Sequence, residues 1–135
     1  MPYVYSFENL EAWRDARSLV RWIYKITESF PRTEQFGLIN QMRRSSISVI
    51  SNLAEGSARS TPKDKANFYQ TAYSSIIELL NQLIVSNDLN FLQRVILTEG
   101  RSMIEKLTGK IAALRNSELN KLQTLTLNPK HSTSL

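Results

Sequence analysis

The sequence predicts an all-α fold, an antiparallel up-down-up-down four-helix bundle. In four long stretches the apolar residues recur at steps of three and four, which is the spacing of one helix face. The connections between the stretches are short, and none of the stretches alternates in the manner of a strand. Only 4 Gly and 4 Pro occur among 135 residues, which argues against a loop-rich sandwich or a disordered chain. Because the length suits one domain, we expect a single domain over 1–123, a flexible tail over 124–135, and helices at about 7–29, 34–58, 62–86 and 92–122.

The first helix is predicted to begin near Phe7, because Glu8 and Glu11 lie where the helix dipole favours acids. Its apolar face predicts core positions at Trp13, Ala16, Leu19, Val20, Ile23, Ile26 and Phe30. The opposite face carries a basic ridge, which consists of Arg14, Arg17, Arg21 and Lys25. The ridge is either a solvated outer face, flanked by Asp15 and Glu28, or a phosphate-binding surface.

Trp22 falls off the apolar face of this helix. A large aromatic side chain in such a place is typical of a subunit contact or of a lid over a neighbouring loop. After the first helix, Pro31 is a stop signal and Thr33 is a candidate cap for the helix that follows.

The second helix has two distinct faces. One is apolar, and the other is a polar stripe that consists of Gln41, Arg44, Ser45, Ser48, Asn52 and Glu55. Small hydroxyl and amide side chains predict a close helix–helix contact, with a few buried hydrogen bonds that fix its register. Gly56 is predicted either to end this helix or to let another helix approach closely.

A functional interpretation of the polar stripe also stays open. The stripe could line a surface or pore shared within an oligomer, or it could grip a phosphate through Arg44 and Arg59. Glu55 lies four positions before Arg59 and can pair with it in solution, which argues against the phosphate grip.

The third helix has the clearest start signal, with a hydroxyl cap, Pro62 at the first helical position and Asp64 in the first turn. Residues 87–90 (NDLN) form the turn before the fourth helix. In that helix Gly100 and Gly109 each cost about 1 kcal/mol relative to Ala, so we expect fraying or close packing at both.

The composition excludes several kinds of site. There is no Cys, and the single His, His131, lies in the predicted tail without a partner at metal-ligand spacing. The serines of the second helix have no base to activate them, so we expect no enzyme, no catalytic residue, no metal and no cofactor.

The net charge of +5 is mild for a nucleic-acid binder. No apolar run is long enough to span a bilayer, so we expect a cytoplasmic protein without membrane contact.

Several motifs together resemble one protein family. They are Phe7-x-x-Leu10-x-x-Trp13, Phe30-Pro31-x-x-Glu34, Leu38, Gln41, Arg43-Arg44, Ser48, Asn52-Leu53-Ala54-Glu55-Gly56 with Arg59, and Phe68 through Glu78. Over about residues 7–115 this pattern resembles the 23S rRNA-intervening-sequence proteins, and its Asn-x-Ala-Glu-Gly signature is fairly specific. The chain departs from the family where Ser74-Ser75 stands in place of the usual Gly-Ser.

The resemblance implies a four-helix bundle that assembles into a ring, commonly a homopentamer with a central channel, and no established enzymatic activity. The family is also similar to the accessory variability proteins of diversity-generating retroelements, which bind nucleic acid. The residues that carry this structural and oligomer signature are Trp13, Trp22, Gln41, Ser48, Asn52, Glu55 and Gly56.

Two functions remain open from the sequence. The first is a non-enzymatic homo-oligomer that binds RNA or DNA through phosphates without sequence specificity, because no groove-reading motif or stacking platform is visible. Its candidate residues are Arg14, Arg17, Arg21 and Lys25, followed by Arg43, Arg44 and Arg59. The second is an interaction and assembly module whose partner is another protein, with Trp22 and the polar stripe as its surfaces.

Overall fold

The computed structural model describes residues 2–127, with side chains as far as Thr124. In that range it contains four α-helices, two short 3-10 turns and no strand. The helices are α1 (Glu11–Thr27), α2 (Leu38–Ala58), α3 (Pro62–Asp88) and α4 (Arg94–Leu127), and the 3-10 turns are Ser6–Asn9 and Arg32–Glu34. The prediction of an all-α fold with four helices is therefore confirmed. The expectations for residues 128–135, which include His131 and most of the predicted tail, lie outside the described residues.

The antiparallel packing of α2 and α3 is visible in the side chains that meet across their interface. Met42 of α2 contacts Ser86 of α3, whereas Ser48 of α2 contacts Ser75 of α3. The residue numbers therefore rise along one helix as they fall along the other. The same register brings Gly56, near the end of α2, against the first turns of α3.

The first and last helices are also antiparallel neighbours. Trp22, in the second half of α1, lies against Gly100 near the start of α4, whereas Asp15 pairs with Lys110 farther along α4. The helices contact one another around a square, α1 with α2, α2 with α3, α3 with α4 and α4 with α1. Adjacent helices therefore alternate in direction, as the up-down-up-down prediction requires.

The apolar faces of the four helices meet in one continuous core. Its largest fully buried side chains include Leu19, Ile23, Met42, Val49, Leu53, Ile76, Leu79, Leu83, Ile104, Leu107 and Ile111. Burial of side chains of this size stabilises a fold by about 1.5–3 kcal/mol each. On α1 the predicted core residues Ala16, Leu19 and Ile23 are buried, whereas Trp13 and Ile26 are partly buried at its edge. No helix in residues 2–127 combines the length and the apolar character that crossing a bilayer requires.

The start of the first helix differs from the prediction of one helix from Phe7. A 3-10 turn comes first, Leu10 is extended, and α1 begins after it. Glu8 accepts a hydrogen bond from the Tyr5 N–H at 2.8 Å, so this acid caps the 3-10 turn and not an α-helix. The ring of Phe7 packs against that of Trp13 with centroids 5.0 Å apart. This contact folds the 3-10 turn over the beginning of α1.

Two other helix ends also differ from the predicted ones. A 3-10 turn delays the start of α2 to Leu38, whose N–H donates to Glu34 Oε1 at 3.3 Å. The last helix begins at Arg94 and continues to Leu127, past the predicted end at residue 122. The first residues of the predicted tail are therefore helical.

The connections on either side of α3 follow their sequence signals. Thr61 is the N-cap, and its Oγ1 accepts a hydrogen bond from the Asp64 N–H at 3.2 Å, which confirms the predicted start. In the turn after α3, Asn90 has a φ of 63°, a left-handed conformation that Asn adopts more readily than most side chains. Asn87 supports this turn, because its Nδ2 donates to the Leu92 carbonyl at 3.0 Å.

Two glycines lie where helices approach each other closely. A Cβ on Gly56 would stand 2.7 Å from Cε1 of Tyr69, so the close-approach interpretation of this glycine is confirmed. A Cβ on Gly100 would stand 2.7 Å from the Trp22 ring, so close packing and not fraying accounts for this glycine. Trp22 therefore packs across α4 of its own chain rather than over a loop. By contrast, a Cβ on Gly109 would meet no atom within 4 Å.

The Tyr69 phenol makes the stability of the bundle sensitive to alkaline pH. Burial raises the pKa of Tyr69 above its ordinary value, and the nearby Glu118 carboxylate raises it further. Because the folded chain holds this proton more tightly, the stabilisation is complete below pH ~10 and is lost as the pH rises through the folded pKa.

We expect Tyr69→Phe to flatten the fall in the free energy of unfolding above pH ~10. Urea unfolding at a series of pH values measures this slope. Tyr3→Phe, which changes an exposed phenol, is the matched control. Parallel pH profiles for Tyr69→Phe and the wild type would contradict the prediction.

Candidate functional surfaces

The basic ridge lies on the solvent side of α1. All of its side chains, at positions 14, 17, 21 and 25, are exposed, whereas Ala16, Leu19 and Ile23 are buried in the core. The guanidinium of Arg17 lies over the Trp13 ring, 5.7 Å from its centroid, so the stem of this arginine packs on apolar surface. In residues 2–124 no carboxylate lies within ion-pair distance of a ridge side chain. The ridge therefore presents unneutralised cations to solvent.

Two acidic residues beside the ridge, Glu11 and Asp15, are held by α4, whereas Glu28 at its C-terminal end is exposed. Lys110 Nζ pairs with Glu11 at 2.5 Å and also with Asp15. Its hydrogen bond to Asp15, and next its hydrogen bond to Glu11, raise the pKa of Lys110 above the ordinary value. Asp15 was expected to flank the ridge as part of a solvated face. Its carboxylate is instead paired with another helix, although its side chain stays 40% exposed.

Arg43 is engaged within the fold. Its Nε donates to Thr27 Oγ1 at 3.0 Å, and its Nη2 donates to the carbonyl of Tyr24 at 3.3 Å. The guanidinium also covers the Tyr24 ring at 4.6 Å from the centroid. These contacts place a cation at the C-terminal end of α1, where the helix dipole favours positive charge. Arg43 thus joins α2 to α1 and lies outside the exposed ridge.

The other two predicted cations lie at opposite ends of α2. Arg59 follows the last residue of α2, and its guanidinium covers the Phe68 ring at 4.3 Å. No ion pair with Glu55 forms in the described part of the chain, so the anticipated Glu55–Arg59 contact is not present. Arg44 is exposed near the start of α2, and its guanidinium has no partner among the described residues. Neither arginine extends the ridge of α1.

The polar stripe divides into a buried part and an exposed part. Ser48 Oγ and Ser75 Oγ of α3 share a hydrogen bond of 2.7 Å. Asn52 Nδ2 donates to the Ser48 carbonyl at 2.8 Å and to its hydroxyl at 3.2 Å, and Ser45 is buried. The Ser48–Ser75 bond is a polar contact between the helices, whereas Asn52 bonds within α2 and orients Ser48. The exposed members of the stripe are Gln41, Arg44 and Glu55.

A polar cavity of about 320 Å³, which we call the polar groove, opens between α2 and α3. Its lining residues are Asn40, Gln41, Arg44, Ser45, Ser48 and Glu78. Beside it, Gln82 is buried, and its Nε2 donates to Glu78 Oε1 at 3.3 Å. The other end of this amide, Gln82 Oε1, is buried without a hydrogen-bond partner among the described residues. Gln82 does not line the groove itself, so its amide supports Glu78 from the interior side.

Several of these residues were not assigned from the sequence. From the sequence Glu78 is the last residue of the Phe68 through Glu78 motif, and only the register of α2 against α3 brings it to the same cavity as Arg44. Nothing in the sequence marks Gln82 or Lys110 as part of a site, because an isolated Gln or Lys is common in helices. Among the described residues, no group of three or more Asp, Glu, His or Cys side chains is placed to hold a metal ion.

The family of the chain follows from its sequence profile. The profile described as 23S rRNA-intervening sequence protein matches residues 8–113, which is well over half of the chain. The chain belongs to that family. No curated protein sequence matches it. In this 23S rRNA-intervening sequence protein the matched region contains α1, α2, α3 and the first part of α4, so the ridge, the polar stripe and the polar groove all lie within it. The resemblance proposed from the motifs is confirmed.

Proposed function

We propose that this protein is a non-enzymatic, oligomeric nucleic-acid-binding protein that contacts the phosphates of RNA or DNA through the basic ridge. The observation that supports the proposal is the row of cations along α1, which has Glu28 only at its C-terminal end. Four exposed cations, at positions 14, 17, 21 and 25, lie on one face, while Glu11 and Asp15 are held by Lys110 of α4. Such a row of like charge attracts a polyanion and releases its condensed counterions.

The dimensions of the ridge fit a nucleic-acid backbone. At 1.5 Å per residue, the span from Arg14 to Lys25 is about 16 Å. One turn of a duplex is about 34 Å long, so a strand winds through about half a turn over this span and the straight ridge contacts only part of its phosphates. Contacts of this kind position the nucleic acid without reading bases, so binding is proposed to lack sequence specificity.

Charge reversal on the ridge tests the proposal. We expect the double variant Arg17→Glu/Arg21→Glu to weaken binding of a labelled RNA or DNA duplex at least tenfold at 50 mM salt, and to lower the salt slope by about 2. Fluorescence anisotropy over a salt series measures both quantities.

A double reversal elsewhere on the surface is the control for this test. Arg101→Glu/Lys106→Glu changes two exposed cations on α4 and produces the same net charge. It should retain most of the affinity of the wild type. Equal losses in the two double variants would contradict a role for the ridge, and the absence of any affinity at low salt would exclude nucleic-acid binding.

Self-association is the second part of the proposal, and family membership favours a homopentamer. Large apolar side chains exposed in the isolated chain also support it, because Phe36 is 88% exposed and Val95 is 65% exposed. Molar mass from light scattering tests this part directly, and a monomer at micromolar concentration would contradict it.

The same exposed side chains favour the alternative function, an interaction module for another protein. In that case Arg17→Glu/Arg21→Glu would leave the binding of that partner protein unchanged.

A further inference from the structure

We propose that the polar groove between α2 and α3 binds a small zwitterion of the α-amino-acid class. Arg44 supplies a cation at the rim of the groove, and Glu78 supplies an anion. The rest of the lining consists of neutral hydrogen-bonding side chains, which are Asn40, Gln41, Ser45 and Ser48. A small ligand that carries both a carboxylate and an ammonium group matches this arrangement.

The two charged side chains share a cavity but do not pair with each other. An ion pair requires the nitrogen and oxygen atoms to lie within about 4 Å, and no such contact joins Arg44 to Glu78. Glu78 accepts a hydrogen bond from Gln82 on one oxygen and keeps acceptor capacity on the other. A ligand carboxylate can therefore take two parallel hydrogen bonds from Arg44 while its ammonium approaches Glu78.

A buried amide positions the Glu78 carboxylate at the groove. Gln82 is 5% exposed, and its Oε1 lacks a hydrogen-bond partner, although buried polar atoms are normally satisfied. The amide lies beside the Glu78 carboxylate, because Nε2 of Gln82 and Oε1 of Glu78 are 3.3 Å apart. Gln82 does not line the groove, so its amide holds the Glu78 carboxylate from behind, and the ligand ammonium donates to the acceptor capacity that Glu78 keeps.

The size of the groove selects against large ligands. Its volume of about 320 Å³ is at the lower end of the range of roughly 300–1,000 Å³ typical of small-molecule sites. The floor is closed, because Ser45 is buried and Ser48 is bonded to Ser75 across the helix interface. These limits favour an amino acid with a short side chain over a peptide or a nucleotide.

Isothermal titration calorimetry of the full chain tests the proposal, with L-serine, L-alanine and L-glutamine as probes. We expect saturable binding of at least one of them, tenfold or more tighter than acetate or methylammonium at the same ionic strength. Each of these two ions carries only one of the two charges. The absence of binding by all three amino acids would overturn the proposal, and so would equally tight binding of either single-charge ion.

Two substitutions locate the site. Arg44→Met and Glu78→Gln each remove one charge from an exposed side chain and should weaken zwitterion binding at least tenfold, with the fold retained by circular dichroism. The matched controls are Arg101→Met and Glu99→Gln on α4, which should keep the affinity of the wild type. The proposal is overturned if the groove variants bind normally, or if they alter only the molar mass, which would assign the groove to a subunit contact.

Discussion

Replacing Gly56 by Val is expected to lower the free energy of unfolding by about 3 kcal/mol or more. A Cβ at this position would stand 2.7 Å from Cε1 of Tyr69 and 3.0 Å from the Cβ of Phe68. Tyr69 is buried, so its ring has little room to move aside. Overpacking a core costs typically about 1–3 kcal/mol and occasionally more, and Val adds two methyl groups beyond the Cβ that already collides. Urea unfolding at one fixed protein concentration measures the loss.

Gly109→Val is the control for this prediction. No atom lies within 4 Å of a Cβ built at Gly109, which also lies within a helix. Since Gly and Val differ by only a few tenths of a kcal/mol in helix propensity, we expect a change within ~0.5 kcal/mol. Similar losses at the two glycines would mean that the close approach of α2 and α3 is not the cause.

Arg43→Met is expected to lower the free energy of unfolding by about 2 kcal/mol. The substitution keeps the apolar stem but removes the hydrogen bonds to Thr27 Oγ1 and to the Tyr24 carbonyl, together with the contact over the Tyr24 ring. A hydrogen bond to a charged group contributes about 1.5–3 kcal/mol, and the partial exposure of Arg43 places the total near the middle of that range. Thermal and urea unfolding at fixed protein concentration measure the change.

The neighbouring arginine provides an internal comparison. Arg44→Met removes an exposed guanidinium that has no partner among the described residues, so the expected change is within ~0.5 kcal/mol. A loss at Arg44 as large as that at Arg43 would show that general charge, and not the connection to α1, stabilises the fold.

These two adjacent arginines show how far the sequence can be interpreted. Periodicity placed both on the second helix and gave both as candidate phosphate ligands. A step of about 100° per residue aims them in different directions. Only the packing of α2 against α1 determines that Arg43 meets Tyr24 and Thr27, while Arg44 borders the polar groove. Helix number, order and core faces were predictable, because they depend on local spacing.

The other features that the sequence did not predict have the same physical origin. The 3-10 turn before α1 depends on Phe7 packing against Trp13, and the role of Gly56 depends on where Tyr69 lies. The pairing of Glu11 and Asp15 beside the ridge depends on Lys110, which is far away in sequence. Each of these is a contact between segments, and composition or periodicity within one segment contains no information about it. The sequence could therefore identify the cations of α1 but not the fate of the acids beside them.

The pairing of Lys110 with Asp15 also bears on the order in which the bundle assembles. The two residues are separated by 95 positions, so their contact requires the closure of a long chain segment. The hairpin of α2 and α3, joined by a short connection, needs far less closure entropy and is favoured to form earlier. The seam between α1 and α4 then closes late and is a natural place for sub-global opening. The helix that displays the ridge is already joined to α2 by nearer contacts, such as Arg43 with Thr27, so only its α4 side depends on this late closure.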